Sequence, residues 1–307
     1  MIARVGADVV VGAERQARLP ESGLPFAKMS GSGNDFVMID NRDGLLAAGA
    51  LPEFTRRVCR RGIGLGADGV VTIEPLDHDQ PDADFRWRYI NADGSDGEMC
   101  GNGAMCGARF AVDAGIAPQS CVFQTPSGLV HAEVAASGPM VRIAMPDAGL
   151  LDAPVELKVL DRTMTFHSVR VGVPHTVGIV DDADRFADAA LFAAWGKAIR
   201  QHLHFAPEGV NVNLIHRIDG STVRMRTYER GVEAETLACG TGSVASAIVA
   251  MRELGMTPPL RVITSSGRPL QVDFRWDGET SSARDIYLAG EARFIATGHL
   301  DPEGWWE

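Results

Sequence analysis

The 307-residue sequence contains no run approaching the eighteen or so uninterrupted apolar residues that a membrane-spanning helix requires. It is also short of basic charge. The 29 Lys and Arg face 40 Asp and Glu, a net charge of −11, the opposite of the basic stripe that nucleic-acid binders carry. Nucleotide-cofactor signatures are missing as well: there is no Walker loop ending in Gly-Lys-Ser/Thr, and no Gly-x-Gly-x-x-Gly opens a helix. The glycine-rich stretch Gly62-Ile63-Gly64-Leu65-Gly66-Ala67-Asp68-Gly69 has the composition of such a loop but runs into a predicted strand. Cysteine is sparse and odd in number, five in all, which argues against a secreted disulfide framework. None of the five is spaced Cys-x-x-Cys, so the short ligand spacing of a structural zinc site is also lacking. The first 22 residues include a short apolar stretch, but Asp8 interrupts it and no cleavage pattern follows, so they are read as an N-terminal extension. The expectation is a cytoplasmic protein with reduced thiols, no nucleic-acid or membrane partner and no cofactor or metal.

What remains is an ordinary globular composition, 45% hydrophobic and 22% charged, in a chain long enough for one large or two ordinary domains. Alternating and apolar runs predict strands at 26–29, 36–40, 70–74 and 85–90, then short strands between 121 and 145. Further strands are predicted at 167–171, 176–180, 211–215, 223–228, 261–264, 270–276, 286–288 and 292–297. Helices are predicted at 52–60, where Pro sits in the first turn, at 102–114 with Gly115 as its stop, near 189–201, and from 243 to Gly255. The acidic stretch Asp181-Asp182-Ala183-Asp184 reads as a solvated loop or a helix start, and Trp305-Trp306 as a packing element.

Two of these helices start alike. Met99-Cys100-Gly101-Asn102-Gly103 and Ala238-Cys239-Gly240-Thr241-Gly242 each place a thiol and two glycines at a helix mouth. At a constant offset of 139 (239 minus 100), Tyr89 falls on Tyr228, Gly101 on Gly240, Gly103 on Gly242, Ala108 on Ala247 and Ala111 on Ala250. The repetition favours two homologous halves related by pseudo-twofold symmetry, each offering a helix N-terminus and a thiol to a central cleft. Helix N-termini bind carboxylate or phosphate through unpaired N–H groups and the positive dipole end. The same field is expected to lower the thiol pKa from about 8.5 toward neutrality. Two opposed thiols suit removal of a proton from one face of a carbon and delivery of one to the other. If that carbon is α to a carboxylate, the helix ends stabilise the charge that develops on its oxygens. This describes amino-acid racemisation or epimerisation without pyridoxal phosphate. Cys59, Cys106 and Cys121 read as small buried thiols. Oxidation of Cys100 with Cys239 would be an inactivating liability or a switch.

From Phe26 onward the chain resembles the diaminopimelate epimerase family. The resemblance is carried by Lys28-Met29-Ser30-Gly31-Ser32-Gly33-Asn34-Asp35-Phe36, Asn91-Ala92-Asp93-Gly94-Ser95, Met99-Cys100-Gly101-Asn102-Gly103, Gly172-Val173-Pro174-His175, and Tyr228-Glu229-Arg230-Gly231-Val232 continuing to Glu235-Thr236-Leu237-Ala238-Cys239-Gly240-Thr241-Gly242. It implies an α/β (α+β) fold of two pseudo-symmetric domains, each a curled, mainly antiparallel sheet around a central helix, with the active site in the cleft between them. The implied domains are 23–145 plus 289–307, and 146–288. Cys100 and Cys239 would be the base–acid pair, with His175 and Glu229 tuning their protonation. Gly101, Asn102, Gly240 and Thr241 would hold the α-carboxylate; Asn34, Asn91, Asn211 and Arg230, together with Glu229, would bind the amino groups and the distal carboxylate. The substrate would be a small amino acid, LL- or meso-diaminopimelate, in lysine and peptidoglycan precursor synthesis, with a homodimer left open. The chain departs from the family pattern at Val173, where Asn is common, and in Glu233-Ala234, which lengthen the loop before Cys239 by one residue. These keep two alternatives in play: a racemase of the same family acting on another amino acid, and a non-catalytic amino-acid-binding or redox-sensing relative.

Overall fold

The structure is a computed structural model that describes residues 23–76, 82–97 and 99–305. The extension before Gly23 and Trp306 lie outside the described residues. Two units are present, one built from the residues up to Val134 together with those from Ala292 on, the other from Ala135–Glu291.

The first unit runs β1 (Leu24–Gly31), β2 (Asn34–Asp40), α1 (Leu51–Val58), β3 (Gly69–Glu74), β4 (Phe85–Asn91), β5 (Asp96–Gly97), α2 (Gly101–Asp113), β6 (Ser120–Thr125) and β7 (Gly128–Val134). The second runs β8 (Met140–Ala144), β9 (Ala148–Leu150), β10 (Val155–Val159), β11 (Arg162–Val171), β12 (Val173–Ile179), α3 (Ala183–Ala187), α4 (Ala189–Arg200), β13 (Asn211–Arg217), β14 (Thr222–Glu229), β15 (Ala234–Thr236), α5 (Gly240–Leu254), β16 (Leu260–Ile263) and β17 (Pro269–Asp277). The last strand, β18 (Ser282–Leu300), gives its first half to the second unit, beside β17 and β8, and its second half to the first unit, beside β1.

The pairing order repeats. In the first unit β2 is antiparallel to β1 and parallel to β3, β4 is antiparallel to β3 and β5 and parallel to β6, and β6 turns back into β7. In the second, β12 is antiparallel to β11 and parallel to β13. There β14 is antiparallel to β13 and β15 and parallel to β16, and β16 turns back into β17. Tyr89 on β4 and Tyr228 on β14, matched by the 139-residue offset, occupy equivalent buried positions.

Both central helices are built from small residues. Along α2, positions 101–108 are all buried, and a Cβ on Gly107 would lie 2.6 Å from the Trp87 ring, so the helix seats against the sheet only with glycine there. Along α5, positions 242–250 are all buried, with Ser243 and Ser246 among the alanines. A helix apolar or small on every side belongs in an interior. Here its slimness lets a sheet close around it. α2 ends as the glycine at 115 predicts: Gly115 takes φ +69°, its N–H reaches Val112 O, and the Ile116 N–H reaches Ala111 O, closing the helix end.

Around this frame, apolar side chains on α1, β2, β3 and β4 pack with Trp305, whose ring meets Phe54 edge-on at 5.2 Å. In the second unit Trp195, Phe192 and Ile199 of α4 pack on Phe166, Leu214 and Tyr228. Each such large side chain, fully buried, contributes roughly 1.5–3 kcal/mol by removal from water. The acidic stretch before α3 is a helix start, with Asp182 accepting from the N–H groups of Asp184 and Arg185.

One expectation is corrected. Residues 286–288 and 292–297 are not two strands: β18 is continuous through Ala289-Gly290-Glu291. Gly290 reads as a break in isolation, but its backbone pairs with Val141 of β8, and a neighbouring strand holds an extended conformation that local propensity alone would not.

Candidate active site

Cys100 and Cys239 cap their helices in the same conformation. Cys100 has φ −139° and ψ 110° before α2, and Cys239 has φ −134° and ψ 115° before α5. Both are extended residues at an N-cap, a position that a serine or aspartate ordinarily fills with a side-chain oxygen. At Cys239 the sulfur does this work, accepting the Gly242 N–H at 3.4 Å. Both thiols are partly exposed, whereas Cys59, Cys106 and Cys121 are buried; none of the five is in a disulfide. Burial pushes the Cys59 thiol up to about 12 and Cys121 up to about 11, so neither is a nucleophile at neutral pH.

The second unit gathers the most densely connected group. His175, on β12, is fully buried, and its Nε2 lies 3.0 Å from Thr241 Oγ1 in the first turn of α5. Thr241 Oγ1 in turn lies 3.6 Å from Cys239 Sγ. On the other side of the ring, His175 Nδ1 lies 3.1 Å from Asn213 Nδ2 of β13. Burial, and then the cation of Arg230, hold the His175 pKa down to about 3, so the ring is neutral throughout the physiological range. Glu229, at the end of β14, accepts from the Thr236 hydroxyl at 2.7 Å and faces the Cys239 thiol.

The expected acidification of the thiol does not hold at Cys239. Burial first, and then the negative charge of Glu229, push this thiol up; the Thr241 hydroxyl and the Gly242 N–H pull the other way without prevailing. The helix end supplies donors, but desolvation and the neighbouring carboxylate outweigh what those donors return. The pKa of the Cys239 thiol is raised, and the carboxylate of Glu229 lies beside it.

Asn211 and Arg230 also meet in this unit: Asn211 Oδ1 accepts the Arg230 backbone N–H at 2.9 Å, and the guanidinium donates to Glu208 O at 3.0 Å. Val173 opens β12, two residues before His175. The lengthened loop is a hairpin turn between β14 and β15, in which Glu233 takes φ +56°. Glu233 is pinned by its own ion pair to Arg200 at 3.0 Å and by the Tyr228 hydroxyl on its carbonyl at 2.5 Å.

In the first unit, Asn102 Nδ2 donates to Asn34 Oδ1 at 2.7 Å, and Asn34 Nδ2 donates to Asp68 Oδ2 at 3.0 Å. Asn102 is 1% exposed, and its Oδ1, at the mouth of α2, has no hydrogen-bond partner among the described residues. Gly31 permits this packing, since a Cβ there would lie 2.7 Å from Asn102 O. Asn91 closes its own turn on Ser95, donating to Ser95 Oγ at 3.1 Å. The first unit thus gathers Cys100, Asn34 and Asn102, and the second gathers Cys239, His175, Glu229, Gly240 and Thr241. Asp68 and Asn213 are the residues that sequence reasoning missed. Asn213 had a signal: in Asn211-Val212-Asn213 the two asparagines share a face of a strand, and a second polar residue on a buried face calls for a partner. Among the described residues, no group of three or more His, Cys, Asp or Glu side chains could hold a metal ion.

A sheet curled on a slim helix, built twice, defines a duplicated α/β class of fold. The phenazine biosynthesis protein of the PhzF family from Bacillus anthracis has this fold, with a TM-score of 0.68, 15% identity, and coverage of 92% of this chain and 100% of that one. Within the class, the family is decided by sequence. The family described as diaminopimelate epimerase matches residues 26–151 and 167–295, and the chain belongs to it. It is 38% identical to a diaminopimelate epimerase of Aquifex aeolicus over 294 residues, 91% of this chain and 99% of that protein. It is 39% identical to one from Archaeoglobus fulgidus over 288 residues, 90% and 96% of the two chains.

Proposed function

We propose that this protein is an isomerase that interconverts LL- and meso-diaminopimelate, inverting one α-carbon by transfer of a proton between two thiols and needing no pyridoxal phosphate. The observation that carries this reading is the pair of cysteine N-caps with matching backbone angles, in a chain whose relatives at 38% and 39% identity are diaminopimelate epimerases. In one direction Cys239 first gives its proton to Glu229, and the thiolate then takes the α-proton of the substrate. Cys100, as a thiol, delivers its own proton to the opposite face of the carbanion. Cys100 is then the thiolate, and the proton held on Glu229 returns to it through solvent; in the other direction Cys100 is the base and Cys239 the acid. The first-turn N–H groups of α2 and α5 bind the α-carboxylate as charge builds on its oxygens. Asn34, Asn91, Asn102, Asn211 and Arg230 hold the remaining amino and carboxylate groups of the substrate. The product would enter lysine and peptidoglycan precursor synthesis in the cytoplasm; no described helix is long and apolar enough to cross a membrane.

The test is a run in deuterated water. Solvent deuterium should appear at the inverted α-carbon, and Cys100→Ala and Cys239→Ala should each lower epimerisation by at least about 10³-fold, within the range that general acid–base groups contribute. A full rate from either variant would overturn the two-thiol reading. A second reading, the same chemistry on an amino acid with a less polar distal end, is favoured by Val173 at the start of β12. A panel of diaminopimelate, histidine, glutamate and hydroxyproline separates the two.

A further inference from the structure

The hydrogen bonds around His175 have a direction that can be worked out from one carbonyl. The carbonyl of Thr176 can only accept, and Asn213 Nδ2 approaches it at 3.2 Å. This fixes the amide: its nitrogen faces Thr176 O, and its oxygen faces the Thr227 hydroxyl at 2.9 Å. The same nitrogen is 3.1 Å from His175 Nδ1, which therefore has no proton of its own and accepts. A neutral imidazole with a bare Nδ1 carries its proton on Nε2. Nε2–H then donates to Thr241 Oγ1 at 3.0 Å, and the Thr241 hydrogen is free to point to Cys239 Sγ at 3.6 Å. With the Gly242 N–H at 3.4 Å, the sulfur has two donors, both of which favour its thiolate. The packing is specific: a Cβ on Gly242 would lie 2.4 Å from Asn213 Oδ1.

We propose that Asn213 is a positioning residue that holds His175 in the Nε2–H tautomer and thereby turns the Thr241 hydroxyl onto the Cys239 sulfur as a donor. It is fully buried, and its hydrogen bonds go to His175, Thr176 and Thr227. Its effect is to set the direction of a three-step chain: if Nδ1 carried the proton, Nε2 would accept from Thr241 and the sulfur would lose one donor at the moment it must hold negative charge. The inference rests on the two-thiol reading for its consequence, but its structural core does not need a substrate.

The closing experiment therefore has two arms. In the first, the ring nitrogens of His175 in 15N-labelled, substrate-free protein at neutral pH are assigned by their correlations to the ring protons. The expected result is a bare Nδ1 and a protonated Nε2; an Nδ1–H ring, or a rapid average of the two tautomers, overturns the proposal whatever the enzyme does. In the second, Asn213→Leu removes the donor at similar volume. The expected result is loss of the fixed tautomer, a fall in kcat of about tenfold or more with KM within about twofold, and a matching drop in the rate at which iodoacetamide modifies Cys239. Thr241→Val should give a similar loss, and the double variant little more than either single one, because both cut the same chain. A folded Asn213→Leu protein with the wild-type kcat, or one that keeps the Nε2–H tautomer, overturns the proposal. If Asn213→Leu does not fold, the first arm and Thr241→Val still decide it. Should the first arm succeed while no diaminopimelate epimerisation is found, the functional reading fails and the tautomer assignment stands.

Discussion

Cys100 and Cys239 sit at the first turn of α2 and α5 with φ of −139° and −134° and ψ of 110° and 115°, one backbone geometry built twice from two stretches of chain 139 residues apart (239 minus 100). The equivalence stops at the side chains. Cys239 has His175, Glu229 and Thr241 in its own unit, and the mouth of α2 carries an asparagine, Asn102, whose Oδ1 has no partner among the described residues. Duplication supplied the frame, and divergence within it separated the two thiols.

The second glycine of each motif shows the divergence in a measurable way. A Cβ on Gly103 would lie 3.4 Å from the Phe36 ring, an ordinary contact, while one on Gly242 would lie 2.4 Å from Asn213 Oδ1 and 3.2 Å from Cys239 Sγ. Gly103→Ala should therefore be neutral or stabilising by up to about 1 kcal/mol, as expected for alanine replacing glycine in a helix. Gly242→Ala should cost about 1–3 kcal/mol by overpacking and should lower kcat. Urea unfolding of the two variants side by side checks both signs.

His175 makes stability depend on pH. Its pKa is about 3 in the folded protein against an ordinary 6.5, so below 6.5 the unfolded chain binds a proton there that the folded chain does not. The stabilisation is complete above pH 6.5 and is lost as pH falls toward 3, with a slope approaching about 1.4 kcal/mol per pH unit. His167, which burial also holds below its ordinary value, adds in the same direction. Unfolding free energies measured at pH 7, 6 and 5 should decline in the wild type and decline less steeply in His175→Gln; parallel slopes would refute the assignment.

Glu229 should affect reactivity and catalysis in opposite senses. Its charge is the second contributor, after burial, to the raised Cys239 thiol pKa. Glu229→Gln removes that charge and keeps the shape, so iodoacetamide should modify Cys239 faster at pH 8. Epimerisation should nevertheless fall by about 10²-fold or more, because the proposed acceptor of the thiol proton is gone. Alkylation followed by peptide mass mapping, run beside the activity assay, separates the two effects.

Much of this protein is written locally. Two Cys-Gly-x-Gly starts, followed by runs of small residues, announce two slim buried helices, and the glycines at 115 and 255 mark their ends. Apolar runs and alternation locate most strands, because side-chain period and turn residues are properties of neighbouring positions. Family motifs add Asn34, Asn91, His175, Glu229 and Arg230 as residues of interest. What the sequence could not decide depends on what packs against what. β18 runs unbroken through Gly290 because β8 pairs with it there. Cys239 is a raised rather than an acidified thiol because desolvation and Glu229 outweigh the helix end, and neither burial nor that neighbour is visible from the motif. Asn213 became the residue that orients His175 only when β12, β13 and α5 met around the ring. Propensity and periodicity are local and survive in the sequence; desolvation, strand partners and the direction of a hydrogen bond are set by residues far apart in the chain, and only the folded structure brings them together.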